Sequence, residues 1–197
     1  MCRGIRVNRE TDRPGVRMTP FIGSPHAHHG LPALVGLGAN LDAPLERIRA
    51  VLPALAELST GGAMRVSSLW RSAPVDCPPG SPYFVNAVAL LTVFGDTDPE
   101  ALLLALHALE AEAGRRRDAR NAPRTLDLDL LLLGDLQRRS PAPILPHPRG
   151  HHRAFVLIPA AELVPEMPWP ELGRTVGELA AALDPAETAA LERIGPA

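Results

Sequence analysis

From Ala33 onward, apolar positions follow two periods, and the switch between them marks out the elements. "ALVGLGAN" (33–40) reads as a short apolar strand running into a glycine-containing turn. Asp42 is placed to cap a helix in which Leu45, Ile48, Leu52, Leu55 and Leu58 form one stripe. Pro53 predicts a kink or an early end. "AMRVSSLWRS" (63–72) and "YFVNAVALLTVF" (83–94) read as strands flanking the proline-dense loop "APVDCPPGSP". Asp98 and Pro99 open a second helix, "EALLLALHALEAEAG", which Gly114 closes in left-handed conformation. An arginine-rich loop then leads into "TLDLDLLLL", a strand buried on both faces at its far end. After Gly134 come a polar excursion, a loop and helix in "PILPHPRGHHRAFVLIPAAEL", and a helical C-terminus, "TVGELAAALDPAETAALERIG".

The order βαββαβ with a helical addition is the split arrangement of a ferredoxin-like α+β sandwich. It predicts a mainly antiparallel sheet with helices on one face, the other face being left for loops and a ligand. Residues 1–30 show no period and are rich in Gly, Pro, Arg and His. They are expected to form a flexible tail, with Met18 an alternative start and residues 31–197 a single domain.

With 197 residues, 46% of them hydrophobic, the chain can bury a core, and a net charge of −2 argues against a general nucleic-acid binder. The basic residues change the picture more. All 20 are Arg, which rules out a Walker A lysine or a Schiff base, and five fall between Arg115 and Arg124. Arginine favours bidentate contacts to phosphate or carboxylate. Two isolated cysteines, Cys2 and Cys77, make neither a disulfide framework nor a zinc site. With no apolar run of membrane-spanning length, a cytoplasmic protein is expected.

The chemistry concentrates in "RNAPRTLDLDLL" (120–131). On a strand, Asp127 and Asp129 share a face about 7 Å apart, while Leu126 and Leu128 point into the core. Two carboxylates this close invite a divalent cation, and hard oxygen donors suit Mg²⁺. A solvated acidic edge strand is the plain alternative. The arginines immediately upstream, Arg115, Arg116, Arg117, Arg120 and Arg124, weigh against it, because they match a polyphosphate carrying its own magnesium.

This run resembles the signature of the 6-hydroxymethyl-7,8-dihydropterin pyrophosphokinase family: a basic residue, a small residue, Pro-Arg, then Asp-x-Asp and aliphatics. The likeness extends from about Leu34 to Leu183 through "GLGANL", "SSLWRSAPV", "YFVNAV" and "LPHPRGHHRAFVLIP". It implies transfer of pyrophosphate from ATP to the hydroxymethyl group of the pterin, releasing AMP, in folate biosynthesis. It implies two Mg²⁺ ions on Asp127 and Asp129, phosphate contacts from Arg115 and Arg124, and Arg120 assisting them. His147 would meet a phosphate oxygen, Arg153 would lie near the nucleotide, and Glu110 would be a nucleotide-site acid. Asn86 would read the pterin edge, Phe84 and Phe155 would sandwich the ring, and Ser72, Ala73 and Val75 would line its rim.

Read without the family, Phe84 and Phe155 fit core packing and Asn86 fits a satisfied buried amide. Glu110 fits a solvent-facing helix position, and His151 and His152 fit a solvated loop. Asn121 and Ile144 depart from the pattern. A monomer acting on ATP and the pterin, without nucleic acid or membrane, is expected. Two other classes share features: a metal-dependent nucleotidyltransferase, which would release pyrophosphate, and a non-catalytic ferredoxin-like RNA-binding module, which wants exposed aromatics and a basic surface.

Overall fold

The computed structural model describes residues 30–74, 80–114 and 125–197. The expectation of an N-terminal tail therefore lies almost wholly outside the described residues.

Strand β1 (Leu31–Ala39) leads into helix α1 (Pro44–Glu57). Asp42 does not cap it. Asp42 and Ala43 both take positive φ, and Ala43 occupies the cap position without a side-chain bond. The helix also runs through Pro53, which is exposed. Ile48, Val51 and Leu55 are buried on either side of it, and burial of that stripe outweighs the lost backbone bond.

The predicted second strand is two: β2 (Met64–Val66) and β3 (Leu69–Ser72). Both pair with β4 (Phe84–Val93), but the register moves by one residue between Val66↔Ala89 and Trp70↔Asn86. The extra residue falls at Ser67–Ser68. There the Ser67 hydroxyl accepts from the Val88 N–H at 3.0 Å while the Ser67 N–H donates to the Val88 carbonyl at 2.9 Å.

Helix α2 (Pro99–Glu112) is capped by the Asp98 side chain, which accepts from the Glu100 N–H at 3.1 Å. Gly114 beyond its end has φ of 83°, as the sequence predicts. Strand β5 (Asp127–Leu133) follows, then helix α3 (Ala154–Leu163) and a two-residue ladder of β6 (Pro168–Trp169) with β7 (Arg174–Thr175). Helix α4 (Val176–Ala181) starts with a capping box between Thr175 and Glu178, and a short α5 (Pro185–Ala189) follows.

The chain ends in a strand, not in the expected helix. β8 (Leu191–Gly195) pairs with β3 and covers its open edge, with Arg71 bonded to Glu192. The alanine-rich stretch before it is exposed, so it has no apolar stripe to bury as a longer helix. The sheet runs β5-β1-β4-β3-β8, antiparallel throughout, with β2 beside β4. This is the expected ferredoxin-like α+β sandwich.

Its two faces are not divided as predicted. One face buries Val35, Leu37, Ala87, Leu91, Leu128 and Leu130 beneath α1 and α2. The other is bare over only part of its length. Leu34, Val88, Leu131 and Leu132 lie on it, and α3, α4 and Trp169 cover them with Val156, Leu157, Ala160, Val176 and Leu179. Four large apolar side chains on that face need a cover, so a second layer forms there.

Trp169 also fixes the turn Gly150–His152, because a Cβ on Gly150 would lie 2.8 Å from its ring. Trp169 is fully buried and cannot give way. Gly150→Ala is predicted to lower stability by about 1–3 kcal/mol, measured by urea unfolding.

Candidate active site

On the second face, going along the strands, apolar positions give way to polar ones within two residues. Leu131, Leu34 and Leu90 lie toward the α3 end. One step on, Asp129 stands opposite Gly36, and Gly36 opposite Val88. The next row reads Asp127, Gly38, Asn86 and Trp70 across four strands, followed by Phe84 opposite Ser72. The aspartates are half-buried and share this face, as their spacing predicts, with Leu126 and Leu128 fully turned into the core.

Gly36 and Gly38 are what open the site. They occupy the β1 positions between the two aspartates and β4, so no β1 side chain stands between the acids and Asn86. A Cβ at Gly38 would meet the Asn86 Oδ1 at 3.5 Å and the Asp127 Cβ at 4.0 Å. These glycines, expected in the turn after a short strand, lie within β1 itself. The available signal was two glycines, two residues apart, in an otherwise apolar strand.

Asn86 is 4% exposed and its Nδ2 donates to Ser72 Oγ at 2.9 Å. This leaves the amide oxygen directed over Gly38. Phe84 is half-buried at the start of β4 and Ala73 is exposed just after β3. Trp70, not singled out from sequence, shares the row with Asn86, and its Nε1 is buried without a hydrogen-bond partner among the described residues.

The loop before α3 approaches from the other side. His147 N–H donates to the Leu131 carbonyl at 2.8 Å, which ties the loop to β5 two residues beyond Asp129. The Arg149 N–H donates to His147 Nδ1 at 3.3 Å. Burial pushes the imidazole pKa below its usual value, and Arg153 and Arg149 act in the same direction, against the pull of Asp129 and Asp127. A neutral ring whose Nδ1 accepts keeps its proton on Nε2, so His147 presents a donor there. The Arg153 guanidinium lies 5.3 Å from the centroid of the half-buried Phe155 ring, taking one ring face as a cation–π contact.

Glu110 is not on a solvent face. It is 1% exposed, and its Oε1 accepts from the Leu128 N–H at 2.7 Å. The His151 and His152 rings are tilted at 47° with centroids 3.6 Å apart, and the His151 ring centroid is 6.0 Å from that of Trp169. Burial, then His152 and His147, lower the His151 pKa. Among the described residues no three His, Cys, Asp or Glu side chains form a metal-binding group. Val75, Arg115, Arg116, Arg117, Arg120, Asn121 and Arg124 lie outside the described residues.

The model of the 7,8-dihydro-6-hydroxymethylpterin-pyrophosphokinase family matches residues 34–165, and this chain belongs to that family. A Pseudomonas aeruginosa protein named 2-amino-4-hydroxy-6-hydroxymethyldihydropteridine pyrophosphokinase is 46% identical over 150 residues, covering 75% of this chain and 89% of its own. A Synechocystis protein of the same name is 36% identical over 160 residues, covering 81% of this chain and 79% of its own. Among solved structures, a Plasmodium falciparum HPPK-DHPS with pteroate superposes at a TM-score of 0.61 with 13% identity, over 83% of this chain. This chain spans under half, 46%, of that longer one, and the likeness is one of fold.

The free protein is predicted to show a His147 titration midpoint below about 6.5 by NMR. The folded state then binds fewer protons than the unfolded state. Its contribution to stability is present above the unfolded pKa and is lost as pH falls from about 6.5 through the folded value.

Proposed function

We infer that this chain transfers the β,γ-pyrophosphoryl unit of ATP to the hydroxymethyl oxygen of 6-hydroxymethyl-7,8-dihydropterin, giving AMP and the pterin diphosphate in folate biosynthesis. Family membership supports the reading. The observation that carries it is the pair of neighbouring rows Asp129–Gly36 and Asp127–Gly38–Asn86, which set two carboxylates and an amide on one sheet face.

Mg²⁺ fits the donor set. The chain supplies two hard carboxylates here and no third protein ligand among the described residues. A cation that keeps waters and takes phosphate oxygens suits such a site. Asp127 and Asp129 would hold it, in two ions by this proposal, and when bound it supplies charge neutralisation along the triphosphate.

The reaction is an in-line displacement at the β-phosphorus. The pterin hydroxyl oxygen bonds to that phosphorus and releases its proton to solvent, the bond to the α,β-bridging oxygen breaks, and AMP departs with that oxygen. Positioning and charge stabilisation carry most of such a transfer. His147 would donate through Nε2 to a phosphate oxygen, and Arg153 would add charge near the nucleotide. Arg115, Arg120 and Arg124 would grip the phosphates through paired N–H donors. Asn86, held by Ser72, would present its amide oxygen to a donor on the pterin edge, with Ala73 and Val75 along the rim. Phe84 and Phe155 would sandwich the ring. The chain would act as a monomer. No helix among the described residues is long and apolar enough to cross a membrane.

Nucleotide product analysis with Mg²⁺, ATP and the hydroxymethylpterin is expected to give AMP without free pyrophosphate. Release of pyrophosphate would instead assign a nucleotidyltransferase. Asp127→Ala and Asp129→Ala are each predicted to lower kcat at least 1,000-fold, about 4 kcal/mol in barrier, with near-native unfolding midpoints. By calorimetry, the pterin is expected to bind at least tenfold more tightly once a magnesium–ATP analogue is present.

A further inference from the structure

The buried stripe of α2 reads Leu102, Leu106, Glu110 at four-residue spacing, so a carboxylate takes the place of a third leucine. Burial there is costly without hydrogen bonds. Glu110 Oε1 accepts from the N–H of Leu128 at 2.7 Å. Leu128 lies between Asp127 and Asp129, and β5 is the outer strand of the sheet, paired with β1 alone. An N–H that turns away from β1 meets no further strand, and the α2 carboxylate receives it instead.

We propose that Glu110 is a positioning residue for the two aspartates. By holding the peptide N–H between them it fixes the rotation of the edge strand, and with it the direction of both carboxylates. A twist of the peptide at Leu128 swings the Cβ atoms of both neighbours, because alternate residues share one backbone plane. A bond to a carboxylate is short and strong enough to resist that twist. The proposal rests on Asp127 and Asp129 being the cation ligands, and it gives Glu110 a role through the backbone without contact to the nucleotide.

The test uses Mn²⁺ as the probe in the complex of the full chain with a non-hydrolysable ATP analogue. Its affinity is read by water-proton relaxation, and hydrogen exchange reads the Leu128 amide. Glu110→Ala is expected to speed exchange at Leu128 at least tenfold and to weaken Mn²⁺ at least fivefold. It is also expected to lower kcat with little change in the pterin KM. Glu110→Gln, which keeps an oxygen acceptor, is expected to recover most of each loss. A folded Glu110→Ala with native Mn²⁺ affinity would overturn the proposal, as would Glu110→Gln no better than Glu110→Ala, which would place the effect in the charge.

Should Glu110→Ala not fold, an ester in place of the 127–128 amide removes the same N–H and keeps every side chain. Native Mn²⁺ affinity in the ester then overturns the proposal, and a fivefold loss supports it. Absence of Mn²⁺ binding in the native chain is a different result. It overturns the reading of the two aspartates, and the proposal with it.

Discussion

The pleat of β5 governs this molecule. Successive residues of a strand point to opposite faces, so the same seven residues must bury leucines under α2 and offer carboxylates on the other side. Leu126, Leu128 and Leu130 fill the first core, while Asp127 and Asp129 look away from it. A one-residue slip against β1 would drive both carboxylates into that core and turn the leucines out. The register is therefore held by the hydrophobic effect itself, and the acids are placed by the leucines between them.

What ends the polar patch is a second device in the same strand. The pairing of β1 with β5 shifts between Leu34 and Val35, so one residue of β5 is extra. Leu131 and Leu132 both join the cluster under α3, and Leu133 returns to the first core. The bulge lets two consecutive leucines seal the floor directly beyond Asp129. The carbonyl of Leu131 then receives the His147 N–H, so the loop carrying His147 is anchored at the boundary between dry core and polar face. Gly150, pressed on Trp169, fixes the far end of that loop before Arg153 and Phe155.

Most of this was legible where sequence pattern and burial agree. The shared face of the aspartates followed from period two, and the cap and stop of α2 followed from Asp98, Pro99 and Gly114. Errors fell where tertiary packing overrides local preference. Pro53 sits mid-helix because the buried residues around it hold the helix to the sheet. The C-terminal segment scores as helix by composition, yet the open edge of β3 draws its last residues into a strand. The covered second face departs from expectation because Leu34, Val88 and Leu131 form one patch only through the sheet order. Glu110 illustrates the same limit. Its place in a leucine stripe was visible, but the N–H that makes a buried carboxylate tolerable belongs to a residue 18 positions away.

A division of labour follows from which elements carry which groups. Asp127, Asp129, Asn86, Phe84 and Ser72 stand on four-residue or longer strands whose opposite faces are packed into one core. Their relative positions move only if that core moves, so geometry at the acids and at the amide is set by packing and costs little ordering when a ligand arrives. His147 and Arg153 are held on a different support, His147 by its N–H to the Leu131 carbonyl and Arg153 by the Val156 and Leu157 N–H groups that donate to its carbonyl. The acids and the amide are thus placed by strand pairing, and His147 and Arg153 by a turn packed on Trp169. The two glycines of β1 keep the face between the aspartates and Asn86 free of β1 side chains, so the groups on β5 and β4 face one another across it.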